Sequence, residues 1–373
     1  MPSSTDSTAR GPDLNALHAA LTALPEFSAL APEVLALMPV KGLAHDHVEI
    51  RDPGHTDTPL LLRVPKQSQF ALSARDNLTY QAACFERVAE SGHGPRLHAM
   101  IVPSVALPMG ALLVDRIHGR PPRLPADLPA LAEAMARVHA LPLPAPDERA
   151  PLEDHGDPLA GALAEIEAQA RMIPEAALAP EARAEIEDEL AWARDFQTAQ
   201  GGRAQPRCLV LTDTHPGNFL IDGEGRAIIV DLEKALYGSP GIDLAHATVY
   251  SSTTWDADTW AELTVEEVAA FYRHYLAVVG PEKAARLKSW LLPMRRLLFL
   301  RAITWCVKWS VLHRRSQRGD KHRATSTEDW SAENSDPALI AHVAGRVADY
   351  LAPETLRRMR AEWLDRPSLA TLI

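Results

Sequence analysis

Asp213 and Asn218 stand five positions apart in the run Leu211-Thr212-Asp213-Thr214-His215-Pro216-Gly217-Asn218, and Asp231 follows the apolar stretch Ala227-Ile228-Ile229-Val230. An aspartate with an asparagine five residues on has the spacing of a phosphoryl-transfer catalytic loop. That chemistry asks for a carboxylate to orient and deprotonate an acceptor hydroxyl. It also asks for hard oxygen ligands to a Mg²⁺ ion that neutralises charge on the phosphates. Asp213 suits the first role. Asn218 and Asp231 suit the second, because Mg²⁺ prefers oxygen and recruits only one or two carboxylates. Such a pair alone is commonly a turn-capping accident, so its setting decides its meaning. Here an apolar run precedes it, His-Pro-Gly lies within it, and Val230-Asp231-Leu232-Glu233 and Ser239-Pro240-Gly241-Ile242-Asp243-Leu244-Ala245 follow.

These side chains need a scaffold. Cys208–Thr212, Phe219–Asp222 and Arg226–Val230 read as short strands, with Asp222-Gly223 as a tight turn. Upstream, His47–Arg51, Leu60–Val64, Leu97–Val102 and Ala111–Ile117 read as strands around a helix over Ala74–Ser91 that stops before Gly92. Downstream, helical spacing covers Pro125–Leu141, Ala160–Arg171, Pro180–Thr198 and most of the chain beyond 240. A Pro- and Asp-rich connection at 142–158 and a polar loop at 324–337 interrupt it. The expected fold is α+β and bilobal. Its parts are a mobile polar N-terminus (1–13), a β-rich N-terminal lobe (14–117) and a larger helical lobe (118–373) carrying the loop 209–233. A cleft between two lobes favours a ligand site.

The 373 residues are 46% hydrophobic and 23% charged, ordinary globular usage with ample material for a core. A net charge of −11 argues against broad nucleic-acid binding, which needs a basic footprint. The three cysteines lack metal or disulfide spacing. The apolar stretch Ile101–Val114 is too short for a bilayer and is broken by two prolines, and the N-terminus lacks the pattern of a secretion signal. The expectation is a cytoplasmic protein with a small-molecule partner and no membrane association. Nothing in the sequence indicates its oligomeric state.

The three pieces around Asp213 resemble the aminoglycoside phosphotransferase and choline kinase-like superfamily, whose members share the protein-kinase-like fold. The family pattern is roughly H-G-D-x-H-P-G-N, then I-D-[WF]-E, then D-P-x-x-D-L-A, and the likeness extends over about residues 40–310. The resemblance implies ATP as phosphoryl donor and Mg²⁺ as cofactor. It makes Leu112–Arg120 a hinge whose backbone near Asp115 and Ile117 pairs with the adenine edge. It places Arg63 as the cation on the ATP phosphates and Gln81 at the position of that cation's usual glutamate partner. Ala136–Leu141 is similar to a family helix in which His139 is a core residue.

Several positions depart from the pattern. Leu211-Thr212 replaces His-Gly before Asp213, and the segment Lys41–His47 carries one glycine and the acidic Asp46 where a glycine-rich phosphate loop is expected. These changes keep open a second reading, a nucleotide-binding pseudokinase with a regulatory or scaffold role. On the acceptor side, Arg295–Arg323 carries a local charge of +8, either a solvated face or a wall attracting an anionic acceptor. Trp305 and Trp309, four apart on that helix, are either core or a cage for a quaternary ammonium. Glu233 is a possible second metal ligand or acceptor contact. Asp243 is expected to brace the catalytic loop.

Overall fold

A computed structural model of the chain describes residues 11–39, 44–51, 59–68, 70–317, 337–365 and 368–373. The expectations for the N-terminal lead-in up to residue 10, for Lys41–Leu43, for the turn at 52–58 and for most of the loop at 324–337 lie outside the described residues.

Helix α1 (Leu14–Thr22) starts at Asp13, whose side chain accepts from the N–H groups of Asn15 and Ala16. Leu17 and Leu21, four apart, present one apolar face. Strands β1 (Leu35–Leu37), β2 (His45–Ile50) and β3 (Leu60–Pro65) follow. Helix α2 (Ala74–Ala89), strand β4 (Leu97–Ile101) and strand β5 (Ala111–Asp115) complete an antiparallel sheet in the order β1-β2-β3-β5-β4. Alternation sorts its side chains. Val48, Ile50, Leu60, Leu62 and Leu113 pack with Leu17 and Leu21 on one face. The other face carries His45, His47, Leu61, Arg63 and Val114, which line a cavity. Register sets His47 opposite Arg63 and Arg63 opposite Leu112, so this polar row lies mid-sheet.

The linker after β5 is pinned. Arg120 exchanges both backbone hydrogen bonds with Ile221, at 3.0 and 2.8 Å. A Cβ on Gly119 would lie 2.8 Å from the Ile221 carbonyl oxygen, so a larger residue would push the two strands of chain apart.

The rest is mainly helical: α3 (Leu128–His139), α4 (Pro158–Ala170), α5 (Pro180–Gln200), α6 (Pro240–His246), α7 (Tyr250–Thr253), α8 (Val265–Val279) and α9 (Pro281–Gln317), with further helices over Pro337–Tyr350, Pro353–Leu364 and Leu369–Leu372. Two short antiparallel ribbons sit among them. One joins β6 (Cys208–Val210) to β9 (Leu236–Gly238), and the other joins β7 (Phe219–Ile221) to β8 (Ala227–Ile229). A core containing Phe85, Val114, Met135, Leu211, Phe219, Leu232 and Tyr272 runs from α2 and β5 through these ribbons to α8. It ties the sheet to the helices. Among the described residues no helix is long and apolar enough to cross a membrane.

Candidate active site

Strand β6 delivers the chain to Leu211 and Thr212. Thr212 adopts φ +60°, the left-handed region that a β-branched residue rarely enters. The strain, on the order of 1–3 kcal/mol, persists only where surrounding groups over-determine it. Asp243, fully buried on α6, supplies that constraint. Its Oδ2 accepts from the Leu211 N–H and its Oδ1 from the Thr212 N–H, each at 2.8 Å. His139 Nε2 lies 3.0 Å from the same carboxylate while its Nδ1 meets the Tyr275 hydroxyl at 2.9 Å. Thr212 Oγ1 donates to the Lys234 carbonyl. Where glycine would adopt this conformation freely, hydrogen bonds impose it on threonine.

The turn that follows aims Asp213 into the cavity. Its Oδ2 lies 2.7 Å from Lys234 Nζ. Burial opposes ionisation there, but the lysine cation outweighs it and holds the carboxyl well below the usual carboxylate range. His246 is held neutral by burial, its pKa lowered to about 3, and its Nδ1 accepts from the Thr214 N–H at 3.0 Å. Asn218, on the short helical turn Pro216–Asn218, donates from Nδ2 to the Asp213 carbonyl at 2.8 Å, leaving its Oδ1 as the side chain's acceptor. A Cβ on Gly217 would lie 2.5 Å from Asp256 Oδ2, so glycine lets the loop over 254–259 pack onto the segment 213–218.

Opposite stands an ion cluster. Arg63 donates from Nη1 to the Val230 carbonyl at 2.8 Å and from Nη2 to Asp231 Oδ1 at 2.6 Å and Glu233 Oε2 at 3.1 Å. It also lies 3.4 Å from His45 Nδ1. Gln81 is not the partner of Arg63: its Oε1 meets His45 Nε2 at 3.1 Å. The neutral amide cannot pair a guanidinium as an ion, and the two carboxylates supply that pairing instead. A hydrogen bond from Glu233 and the Arg63 cation hold Asp231 far below its ordinary range against the effect of burial. Burial, reinforced by the neighbouring Asp231 charge, pushes Glu233 well above its own. Asp46, expected to repel phosphates, is neutralised by Lys66 at 2.9 Å.

Both groups open on one cavity of about 850 Å³. Asp115 and Ile117 line its linker edge. The Asp115 side chain is turned to Arg96 and His98, at 3.1 and 2.7 Å, so the backbone is what this segment offers. At the other end lie Trp255, Asp256, Asp258, Arg301 and Trp305. Trp305 meets Trp255 edge to face at 5.8 Å between centroids. Trp309 is buried and stacks on His313 at 4.6 Å, away from the lining. One turn of helix does not keep both indoles on the cavity, so the aromatic partner of Trp305 comes from the loop after α7.

The basic stripe of α9 is not a cleft wall. Arg295 pairs with Glu362 at 2.8 Å and Arg296 with Glu189 at 3.0 Å. Arg301 pairs with Glu165 at 2.9 Å and Arg315 with Glu175 at 2.5 Å. Of the described Arg and Lys residues on α9, only Arg301 lines the cavity. Arg318, Lys321 and Arg323 lie outside the described residues. Sequence reasoning missed His45 as a site residue, and it offered Arg301 only within the basic run Arg295–Arg323. His246 was within reach, because it sits three positions after Asp243 on one helix, where side chains share a face.

The donor set fits a hard divalent cation and a polyphosphate. Asn218 and Asp231 offer oxygens on the same cavity, and the buried Arg63 Nε has no partner, a donor that a phosphate oxygen would satisfy. His45, Asp231 and Glu233 also bring ligand atoms within 4.8 Å of one another, but Arg63 Nη2 stands among them as the resident cation.

The sheet with the two short ribbons and the helical remainder is a bilobal, protein-kinase-like α+β fold. Residues 39–286 match the model of the phosphotransferase enzyme family, and the chain belongs to that family. A choline/ethanolamine kinase family protein from Mesorhizobium loti aligns with 18% identity over 93% of this chain and 98% of its own, TM-score 0.54. A Plasmodium vivax ethanolamine kinase aligns with 12% identity over 88% and 84%, TM-score 0.57. A macrolide 2′-phosphotransferase from Brachybacterium faecium aligns with 15% identity over 85% and 97%, TM-score 0.52. At these identities the likeness is one of fold. No curated protein matches by sequence.

Proposed function

We propose that this phosphotransferase moves the γ-phosphoryl group of ATP to a hydroxyl of a small molecule. The reading is carried by one observation: Asp213, Asn218, Asp231 and Arg63 converge on a single cavity although 168 positions separate the outermost two. Asp213 orients the acceptor hydroxyl and takes its proton as the oxygen attacks the γ-phosphorus. The new P–O bond forms while the bond from that phosphorus to the β,γ-bridging oxygen breaks, and ADP leaves. Arg63 contacts phosphate oxygens. Asn218 and Asp231 would hold Mg²⁺, which would supply charge neutralisation on the phosphates. The backbone around Asp115 and Ile117 receives the adenine edge. The structural neighbours, named for alcohols as different as ethanolamine and a macrolide, support a small-molecule acceptor without narrowing it.

The second reading, a pseudokinase, draws on the Arg63 cluster: a resident cation already occupies Asp231 and Glu233. Calorimetric titration with ATP, with and without Mg²⁺, separates the two. Binding tightened tenfold or more by Mg²⁺ supports the kinase. Metal-indifferent binding favours the pseudokinase, and no binding under either condition removes both.

A further inference from the structure

Lys234 stands three residues after Asp231, in the turn that leaves β8, and its ammonium faces the candidate reaction centre. Nζ lies 2.7 Å from Asp213 Oδ2, and about a third of the side chain remains open to the cavity, at 32%. Its backbone is fixed to the catalytic loop, because its carbonyl accepts from Thr212 Oγ1 at 2.9 Å. Thr212 is held in turn by Asp243 and by Arg301, whose Nη1 donates to the Thr212 carbonyl at 3.2 Å. The lysine is therefore mounted on the same rigid unit as Asp213.

A cation in contact with a catalytic base weakens that base. If Lys234 only held Asp213 in place, it would cost proton affinity at the atom meant to take a proton. The arrangement makes sense when charge on the transferring group is the harder problem. In phosphoryl transfer negative charge spreads over three equatorial oxygens, and positioned cations stabilise it. An ammonium has three donors. One reaches Asp213, which leaves two for a group bound in the cavity that Lys234 and Asp213 both line.

We propose that Lys234 is a further catalytic residue, contacting an equatorial oxygen of the phosphoryl group while it is transferred between ADP and the acceptor. The proposal rests on the kinase reading above. Bonds formed and broken are those already given; the lysine gains and loses no proton.

The test uses the full chain with Mg²⁺·ADP, with and without aluminium fluoride, a planar mimic of the transferring phosphoryl, so no acceptor need be known. Transition-state mimics bind at least ~10²-fold tighter than ground-state ligands. Wild-type chain is expected to bind ADP about 100-fold tighter with aluminium fluoride present. Lys234→Met should lose that gain while its affinity for ADP alone stays within threefold, and Lys234→Arg should recover most of it. Lys234→Gln, also neutral but polar, serves if the Met variant fails to fold. A gain kept within threefold in both neutral variants overturns the role of Lys234 and leaves the kinase reading standing. No gain in the wild type overturns the kinase reading, and this proposal with it.

Discussion

Arg63 Nη2 and Asp231 Oδ1 lie 2.6 Å apart, strand β3 of the sheet meeting the segment that leaves β8. The contact makes the guanidinium the counter-ion of the carboxylate proposed to bind metal. Breaking a fully buried pair by removing one partner typically costs ~3–5 kcal/mol, and the cost here is smaller because the Asp231 side chain is 32% exposed. Arg63→Met is therefore expected to lower the melting temperature, and millimolar Mg²⁺ without nucleotide should restore more of it than it adds to the wild type. Differential scanning calorimetry with and without MgCl₂ checks this. Equal increments in both proteins would mean that Arg63 and the ion do not share a place.

The indoles of α9 occupy separate places, Trp305 on the cavity and Trp309 buried against His313. Trp305→Ala should raise the KM for the acceptor, once one is known, with a modest loss of stability, and Trp255→Ala should do the same. Trp309→Ala should cost roughly 3–5 kcal/mol of stability, the usual range for emptying a buried aromatic site, and leave KM unchanged in the protein that remains folded. Urea denaturation beside steady-state kinetics separates the patterns.

Asp243 takes two backbone N–H groups and His139 into one carboxylate. Asp243→Ala would orphan all three donors, at ~1–3 kcal/mol each for a buried unsatisfied group. It would also release Thr212 from its left-handed conformation. A shift of the urea midpoint by an amount equivalent to at least ~3 kcal/mol is expected, with loss of activity even where the chain is folded. A midpoint within experimental error of wild type would show that the loop is held by something else.

Burial keeps three histidines neutral in the folded chain: His45 and His246, with pKa lowered to about 3, and His47, lowered to about 4. In each case burial is the largest cause. Unfolded, each titrates near the ordinary value of ~6.5, so below that pH the unfolded state binds more protons. The stability these groups contribute is present above pH ~6.5 and is lost as pH falls toward 4, by up to ~1.4 kcal/mol per group and pH unit. Denaturation midpoints measured from pH 7.5 to 5 should fall, and His246→Gln should flatten the slope. A flat wild-type profile over that range would contradict the assignment.

Much of the fold was legible because its signals are local. The strands at Leu60, Leu97 and Ala111, and the helices starting at Ala74 and Pro180, follow from alternation, helical spacing and the stop at Gly92. Strands β1 and β9, three residues each, carry too few alternations to register, and α1 went unread although Asp13 caps it. At the site, the roles proposed for Asp213, Asn218 and Asp231 are read from their spacing, and the three share one cavity. Their partners are not. That Arg63 meets Asp231 rather than Gln81 depends on where a sheet docks on a ribbon, and Trp305 meets Trp255 because a loop folds over α9. Tertiary placement of this kind has no period in the sequence.

Thr212 bears on how relatives of this chain are recognised. A signature that demands glycine before the catalytic aspartate tests for a residue that needs no help to turn left. Here the help comes from a carboxylate 31 positions further on, and a threonine holds the turn. The position at 212 can thus carry a side chain because Asp243 holds its N–H group. A search profile anchored on Asp243 would gather chains that one anchored on the residue at 212 would pass over.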